Sequence, residues 1–101
     1  MGKLNELIHQ PARLRIMAAL IALKTEEQLE FTALGRLLEL TDGNLGAHLL
    51  KLEEAGCLKV EKTFVDRKPR TYLKATHRGR AEFEAHVEAL RELLGPVRRT
   101  K

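Results

Sequence analysis

FTALGRLLELTDGNLGAHLLKLEEAGCLKVEKTFVDRKPR, residues Phe31 to Arg70, is the stretch that decides the fold. It reads as a short helix, a tight turn, a second helix and a hairpin with a cationic tip. The second of these helices opens at Thr41-Asp42-Gly43-Asn44, where Thr41 is a good N-cap. It closes at Ala55-Gly56, where a glycine suits the left-handed residue that ends many helices. Between those ends Leu45, Leu49 and Leu52 recur at i, i+4 and i+7 and define one buried stripe. Leu58 and Val60 then alternate with Lys59 and Glu61, the period of a half-buried strand. Val65 to Arg70 reads as the turn, with Pro69 breaking the ladder. Thr71, Leu73 and Ala75 alternate with Tyr72 and Lys74 to give the return strand.

Upstream, Glu30-Phe31 is expected to form a very short strand and Thr32 to cap the short helix, with Leu34, Leu37 and Leu38 inward. Further back, Pro11 suits a first helical turn. Leu14, Met17, Leu20 and Ile21 follow at helical spacing, fading near Lys24-Thr25-Glu26. Leu4, Leu7 and Ile8 form a short apolar face ahead of that helix. Downstream, Thr76 is expected to cap a last long helix, about 77–94, ended by Gly95-Pro96. The order is helix, helix, helix, strand, strand, helix: a mainly α domain over 1–96 with a two-stranded hairpin, and a basic tail over 97–101.

A chain of 101 residues is long enough for one core and too short for two. Its 44% hydrophobic and 32% charged content fits a globular domain. The longest apolar run, Ile16 to Leu23, falls far short of the roughly 20 residues needed to span a bilayer. No secretory leader is read at the start, where Lys3 and Glu6 interrupt. A single cysteine, Cys57, rules out an internal disulfide. A cytoplasmic protein with no membrane partner is expected. The net charge of +4 is unevenly spread: Lys59 to Arg80 carries eight Lys and Arg against two acids, a local +6 that leaves −2 for the remainder. A focused basic patch steers polyanions, although edge strands also carry cations to deter aggregation. The position of the patch, directly after a helix that cannot bury both faces, favours the first reading.

With its leucines inward, that helix presents Thr41, Asn44, Ala47, His48 and Lys51. The Asn44 amide matches the paired donor and acceptor of adenine in the major groove. Thr41 and the first-turn N–H groups suit a phosphate. His48 and Lys51 suit a base edge or a phosphate, and Ala47 allows close approach or contact with a thymine methyl. Asp42 serves the helix dipole. Gly43 and Gly46 each cost roughly 0.8–1 kcal/mol against alanine in a helix interior. They point to close approach, either by the preceding helix or by DNA. Arg67, Lys68 and Arg70 at the hairpin tip suit a phosphate backbone or a minor groove. A solvated polar face is the competing reading for any one of these residues alone.

Phe83, Val87, Leu90 and Leu94 step by 4, 3 and 4 along the last helix, a narrow seam of coiled-coil type that Leu4, Leu7 and Ile8 extend. The seam serves either self-association or the chain's own core. A helix of about five turns, longer than so small a core needs, favours the former. His9, His48, His77 and His86 show no i, i+4 pair and no CxxC partner, so no metal site is expected, and His86 reads as a packed residue beside the seam. No phosphate-binding glycine loop or nucleophile motif is present. No enzyme activity and no cofactor are expected.

Four strings then carry a resemblance: HQPARLRIM at His9–Met17, LTDGNLGAHL at Leu40–Leu49, LEEAGCL at Leu52–Leu58 and THRG at Thr76–Gly79. With the element order, they make the chain, over about Leu4 to Leu94, similar to the compact winged helix-turn-helix regulators of the MarR and ArsR type. The resemblance implies a three-helix core plus wing and a homodimer joined by the terminal helices Leu4, Leu7, Ile8, Phe83, Val87, Leu90 and Leu94. It implies a recognition helix, 42–55, reading a pseudo-palindrome in double-stranded DNA through Thr41, Asn44, His48 and Lys51, with Arg67, Lys68 and Arg70 at the wing tip. The expected function is a sequence-specific transcriptional regulator that represses by occluding a promoter. The alternatives are a sequence-tolerant architectural DNA binder and a winged-helix protein-interaction module. The chain lacks the metal-sensing branch's cysteine-containing helix motif. It is also shorter than typical MarR-type proteins around the cleft where effectors bind, which leaves a small-molecule effector open.

Overall fold

The computed structural model describes residues 4–24 and 27–95. The expected basic tail at 97–101 and the Thr25-Glu26 end of the first helix lie outside them. Five helices and three strands follow in the order α1 (Glu6–His9), α2 (Pro11–Ile21), β1 (Leu29–Glu30), α3 (Phe31–Leu38), α4 (Asp42–Glu54), β2 (Leu58–Val65), β3 (Lys68–Ala75) and α5 (His77–Leu94). The strands form one antiparallel sheet in the order β1-β3-β2. Helices pack on one face of its inner end, and the hairpin of β2 and β3 projects beyond the core.

Most boundaries are set by local chemistry. Asn5 caps α1, its side chain accepting from Ile8 N–H. Gln10 caps α2 through Arg13 N–H, with Pro11 in the first turn. Thr41 accepts from Asn44 N–H at the start of α4, and Thr76 accepts from Gly79 N–H at the start of α5. Each such bond satisfies one of the N–H groups that a helix start leaves without an intrahelical partner. Gly56, at φ 79°, takes the left-handed turn after α4 as its sequence position implies. At the end of α2 the closure is long-range: the Arg80 guanidinium of α5 donates to the carbonyls of Ile21 and Leu23, each at 3.3 Å.

Three local expectations are corrected. Leu37, expected inward, is 63% exposed. Thr32 does not cap α3. The helix begins two residues earlier than a Thr32 cap implies, at Phe31, behind Glu30, whose side chain makes no capping bond. Pairing decides this, because Leu29 and Glu30 are held opposite Leu73 and Tyr72 of β3, so the chain leaves the sheet at Phe31. The hairpin turn is also much tighter than Val65 to Arg70. Only Asp66 and Arg67 lie outside the ladder, and Pro69 sits within it, opposite Phe64. Proline is tolerated there because β1 flanks β3 only at Tyr72 and Leu73, so the outer half of β3 is an edge.

The core joins Ile8, Ile16, Met17 and Leu20 of the first two helices to Leu34 and Leu38 of α3. Leu45, Leu49 and Leu52 of α4 complete it with Cys57, Leu58, Leu73 and Ala75. The start of α5 docks tightly on the α4–β2 turn. A Cβ on Gly79 would collide with the Cys57 carbonyl, so only glycine fits at this crossing.

His86 of α5, 1% exposed, binds α1 to the body of the domain. Its Nδ1 accepts from Asn5 N–H at 2.9 Å and its Nε2 faces His9 Nδ1 at 3.3 Å. An Nδ1 that accepts from an amide places the single ring proton on Nε2, which then donates to His9. That leaves His86 no lone pair for a metal. Among the described residues, no three His, Cys, Asp or Glu side chains gather into a possible metal site. Burial first, and the neighbouring His9 second, push the His86 pKa below its ordinary value. The unfolded chain therefore binds a proton at His86 more readily than the folded one, and stability falls as pH drops below about 6.5. Glu82 titrates in a separate, lower window, its carboxyl held down chiefly by the hydrogen bond from Arg78. Thermal melts between about pH 7.5 and 5 should show a midpoint that declines with acid. The decline should be shallower in His86→Gln; an equal decline in that variant would assign it to other groups.

Candidate nucleic-acid interface

The surface that the core leaves free lies on α4 and the outer hairpin. Because Leu45, Leu49 and Leu52 are buried, the remaining arc of α4 is presented outward. Thr41, Asn44, Ala47 and Lys51 are exposed on it, as are Gly43, Leu50 and Glu54. Gly43 and Gly46 have open space where a side chain would stand, with nothing within 4 Å of either Cβ position. Packing on α3 is therefore not the reason for these glycines. Leu50, 54% exposed, lies on the arc toward the hairpin, an apolar contribution that the leucine periodicity conceals.

His48 takes a different place from the rest of the expected set. It is half-buried on the flank of α4, one residue from the leucine stripe, with its Nδ1 3.2 Å from an Arg13 guanidinium nitrogen of α2. Arg13 is itself anchored, its Nε donating to the Leu7 carbonyl at 2.6 Å. Burial first, then the positive charges of Arg13 and Lys51, lower the pKa of His48. A guanidinium only donates, so His48 accepts at Nδ1 and stays neutral. Sequence reasoning missed Arg13, which stands 35 residues from its partner. Its only signal was a cation on the polar side of α2.

The hairpin residues Glu61 to Arg70 are all exposed. Cross-strand register puts Val60 with Leu73, Lys62 with Thr71 and Phe64 with Pro69 on the face that continues the core. Lys59, Thr63, Val65, Lys68 and Arg70 share the other face. An open cleft of about 340 Å³ separates the first face from α4, walled by Gly46, Leu50 and Glu53 on one side and Val60 and Lys62 on the other. Lys62 was not among the expected residues. The alternation Leu58, Val60, Lys62 was the signal for it.

The cations of the basic run divide by role. Arg78 pairs with Glu82 at 2.8 Å, and Arg80 closes α2. Arg70 leans toward Glu30, at 4.0 Å. Arg67 and Lys68 stand at the tip. The two turn residues, Asp66 and Arg67, have φ of 51° and 66°, the pattern of a type I′ hairpin in which the second place favours glycine. An arginine in that left-handed position is strained.

The expected seam residues are spread from core to surface. Ile8 is wholly buried in the chain's own core, while Leu7 and Phe83 pack against it. Leu4, Val87 and Leu90 are half-buried, and Leu94 is 69% exposed beside Leu93 at 67%. No helix among the described residues is long and apolar enough to cross a membrane.

A family model described as a winged helix DNA-binding domain matches residues 12–94. The chain belongs to that family. An uncharacterised protein of Methanocaldococcus jannaschii is 35% identical over 88 residues, spanning 87% of this chain and 92% of the relative. A transcriptional regulator homologue of Pyrococcus horikoshii superposes with a TM-score of 0.80 at 31% identity, covering 89% of this chain and 86% of that one. A regulator of the MarR family from Enterococcus faecalis shares the fold, with a TM-score of 0.70 at 24% identity over 86% of this chain and 74% of its own. The chain described here is thus a winged helix DNA-binding domain, with β2 and β3 as its wing.

Arg67→Gly should relieve the turn strain and raise wing stability by about 1 kcal/mol. Thermal or chemical denaturation checks this, and an unchanged midpoint would show that the turn carries no strain at Arg67.

Proposed function

We propose that this winged helix protein is a homodimeric, sequence-specific regulator that represses transcription by occluding a promoter in double-stranded DNA. The observation that carries the reading is the exposed outer arc of α4 with the cationic hairpin beside it across an open cleft. In this reading α4 enters the major groove, Asn44 reads an adenine, and Thr41 and Lys51 hold the flanking backbone. The middle of the arc is Gly43, Ala47 and Leu50, so part of the readout is close approach and apolar contact with thymine methyls. The wing follows the adjacent backbone or minor groove through Arg67 and Lys68, with Arg70 released from Glu30 to join them. Its contacts add affinity and salt dependence more than base choice.

The second copy is supported by the far end of α5. An 18-residue helix is about 27 Å long, and its last turn ends in the exposed pair Leu93 and Leu94. Together with Leu4, Val87 and Leu90 these residues offer an apolar strip to a partner helix. A two-fold dimer built on it would set its two α4 helices about 34–36 Å apart, one turn of duplex.

Selection from a random duplex pool at two salt concentrations, followed by sequencing, tests the reading. A two-fold symmetric site should be enriched. Salt-sensitive binding without enrichment would instead make the protein an architectural binder, and no binding at either salt would make the surface a protein-docking one. On the recovered site, Asn44→Ala should cost about 1–3 kcal/mol and relax preference at one base pair. Arg67→Gly should weaken binding on all sequences alike and reduce the slope of log affinity against log salt by about 0.9 per lost phosphate contact.

A further inference from the structure

We propose that Arg13 fixes His48 as an obligate hydrogen-bond donor toward DNA, so that one position of the operator must present an acceptor to α4. The proposal rests on the DNA-reading role given to α4 above and names a specificity-determining pair within it. Asn44, His48 and Lys51 stand at i, i+4 and i+7 along one edge of the helix, so the imidazole lies between two exposed polar side chains of the proposed reading surface. Its Nδ1 is turned the other way, onto the Arg13 guanidinium at 3.2 Å.

A free imidazole has two tautomers and a titrating charge, and so can donate or accept at its outer nitrogen. Here the choice is removed. Arg13 carries only donors and never gives up its charge near neutrality. Its own position is fixed from α1, through the 2.6 Å bond to the Leu7 carbonyl, and from the α2 cap, through Gln10 and its backbone N–H at 2.9 Å. Facing that fork, Nδ1 keeps its lone pair and the single ring proton resides on Nε2. The charged groups that act on the ring are Arg13 from α2 and Lys51 from α4, both positive. Neither they nor burial favour a second proton. The outer edge of His48 therefore donates. It matches guanine N7 or O6, adenine N7, thymine O4 or a phosphate oxygen, and it rejects the amino groups of adenine and cytosine. Arg13 is a positioning residue in this scheme: it sets the polarity of a neighbour without touching DNA.

The first arm of the test uses the free full-length protein, with its histidines followed by long-range proton–nitrogen-15 correlation. His48 should show the Nε2–H tautomer, unchanged between about pH 7 and 8. In Arg13→Met it should become a tautomer mixture whose pKa rises toward the ordinary value, with burial and Lys51 still holding it below. The second arm uses the selected operator. The wild type should discriminate about tenfold against an amino-bearing edge at the His48 position, with affinity flat over the same pH range. In Arg13→Met that ratio should fall to about twofold or less, and binding should tighten as pH is lowered. Arg13→Lys, which still donates, should restore the wild-type ratio. A wild-type His48 that titrates near 6.5, or that carries its proton on Nδ1, would overturn the proposal whatever the DNA result. A fixed tautomer with base preference unchanged in Arg13→Met would overturn the readout while leaving α4 as the reading helix. A fixed tautomer with no enriched site would overturn the readout together with that role of α4.

Discussion

The outward face of α4 is set by the burial of three leucines. Leu45, Leu49 and Leu52 lie on one side of α4 and are at most 4% exposed. Each contributes roughly 1.5–3 kcal/mol by leaving water, far more than the few tenths available from any surface contact on the same helix. Rotating α4 about its axis would forfeit that burial. The register of the outer face is thus dictated from inside: with the stripe fixed, Asn44, Ala47 and Lys51 must face outward and His48 must fall on the flank. The helix can then afford weak local propensity, and it does, since Gly43 and Gly46 sit in it with no packing reason to be there.

The same hierarchy decides what could be read from the sequence. The stripe itself, the threonine caps at Thr41 and Thr76 and the left-handed Gly56 were legible because each is a local rule acting within one helical turn. The strands of the hairpin were legible from their alternation. The start of α3 was not, because pairing of Leu29 and Glu30 to β3 overrides the better capping residue, Thr32. The tight turn was missed for a related reason. Pro69 reads as a breaker, but it breaks nothing on an edge with no further strand to pair. Among the site residues, exposure of Asn44 and Lys51 follows from periodicity alone. The placement of His48 does not, since it depends on a guanidinium brought in from α2, and Gly79 becomes indispensable only once the chain has brought Cys57 back against it.

The basic run shows how charge counts mislead when geometry is absent. Eight cations between Lys59 and Arg80 suggested one patch. Folding spends Arg80 on the open carbonyls at the end of α2 and Arg78 on Glu82, so the positive field is drawn toward the hairpin tip. There the chain accepts the opposite trade. Glycine would relax the second turn position, yet an arginine occupies it in the left-handed region. The strain at Arg67 lies in the hairpin turn, outside the buried core.

The short helix α1 ties these parts together. Its backbone reaches α5 through Asn5 and His86, and its side chain His9 meets the same imidazole. From its other side the Leu7 carbonyl holds Arg13, which holds His48 on α4. Four residues of helix thereby join the helix proposed to carry the second copy to the helix proposed to read DNA, through hydrogen bonds of 2.6–3.3 Å. None of these bonds tolerates displacement by more than a few tenths of an ångström without weakening steeply. Ile8, wholly buried, adds the packing that keeps α1 seated. The segment before Pro11, which reads in the sequence as a mere apolar preface, meets the proposed dimer helix directly and the proposed reading helix through Arg13 of α2.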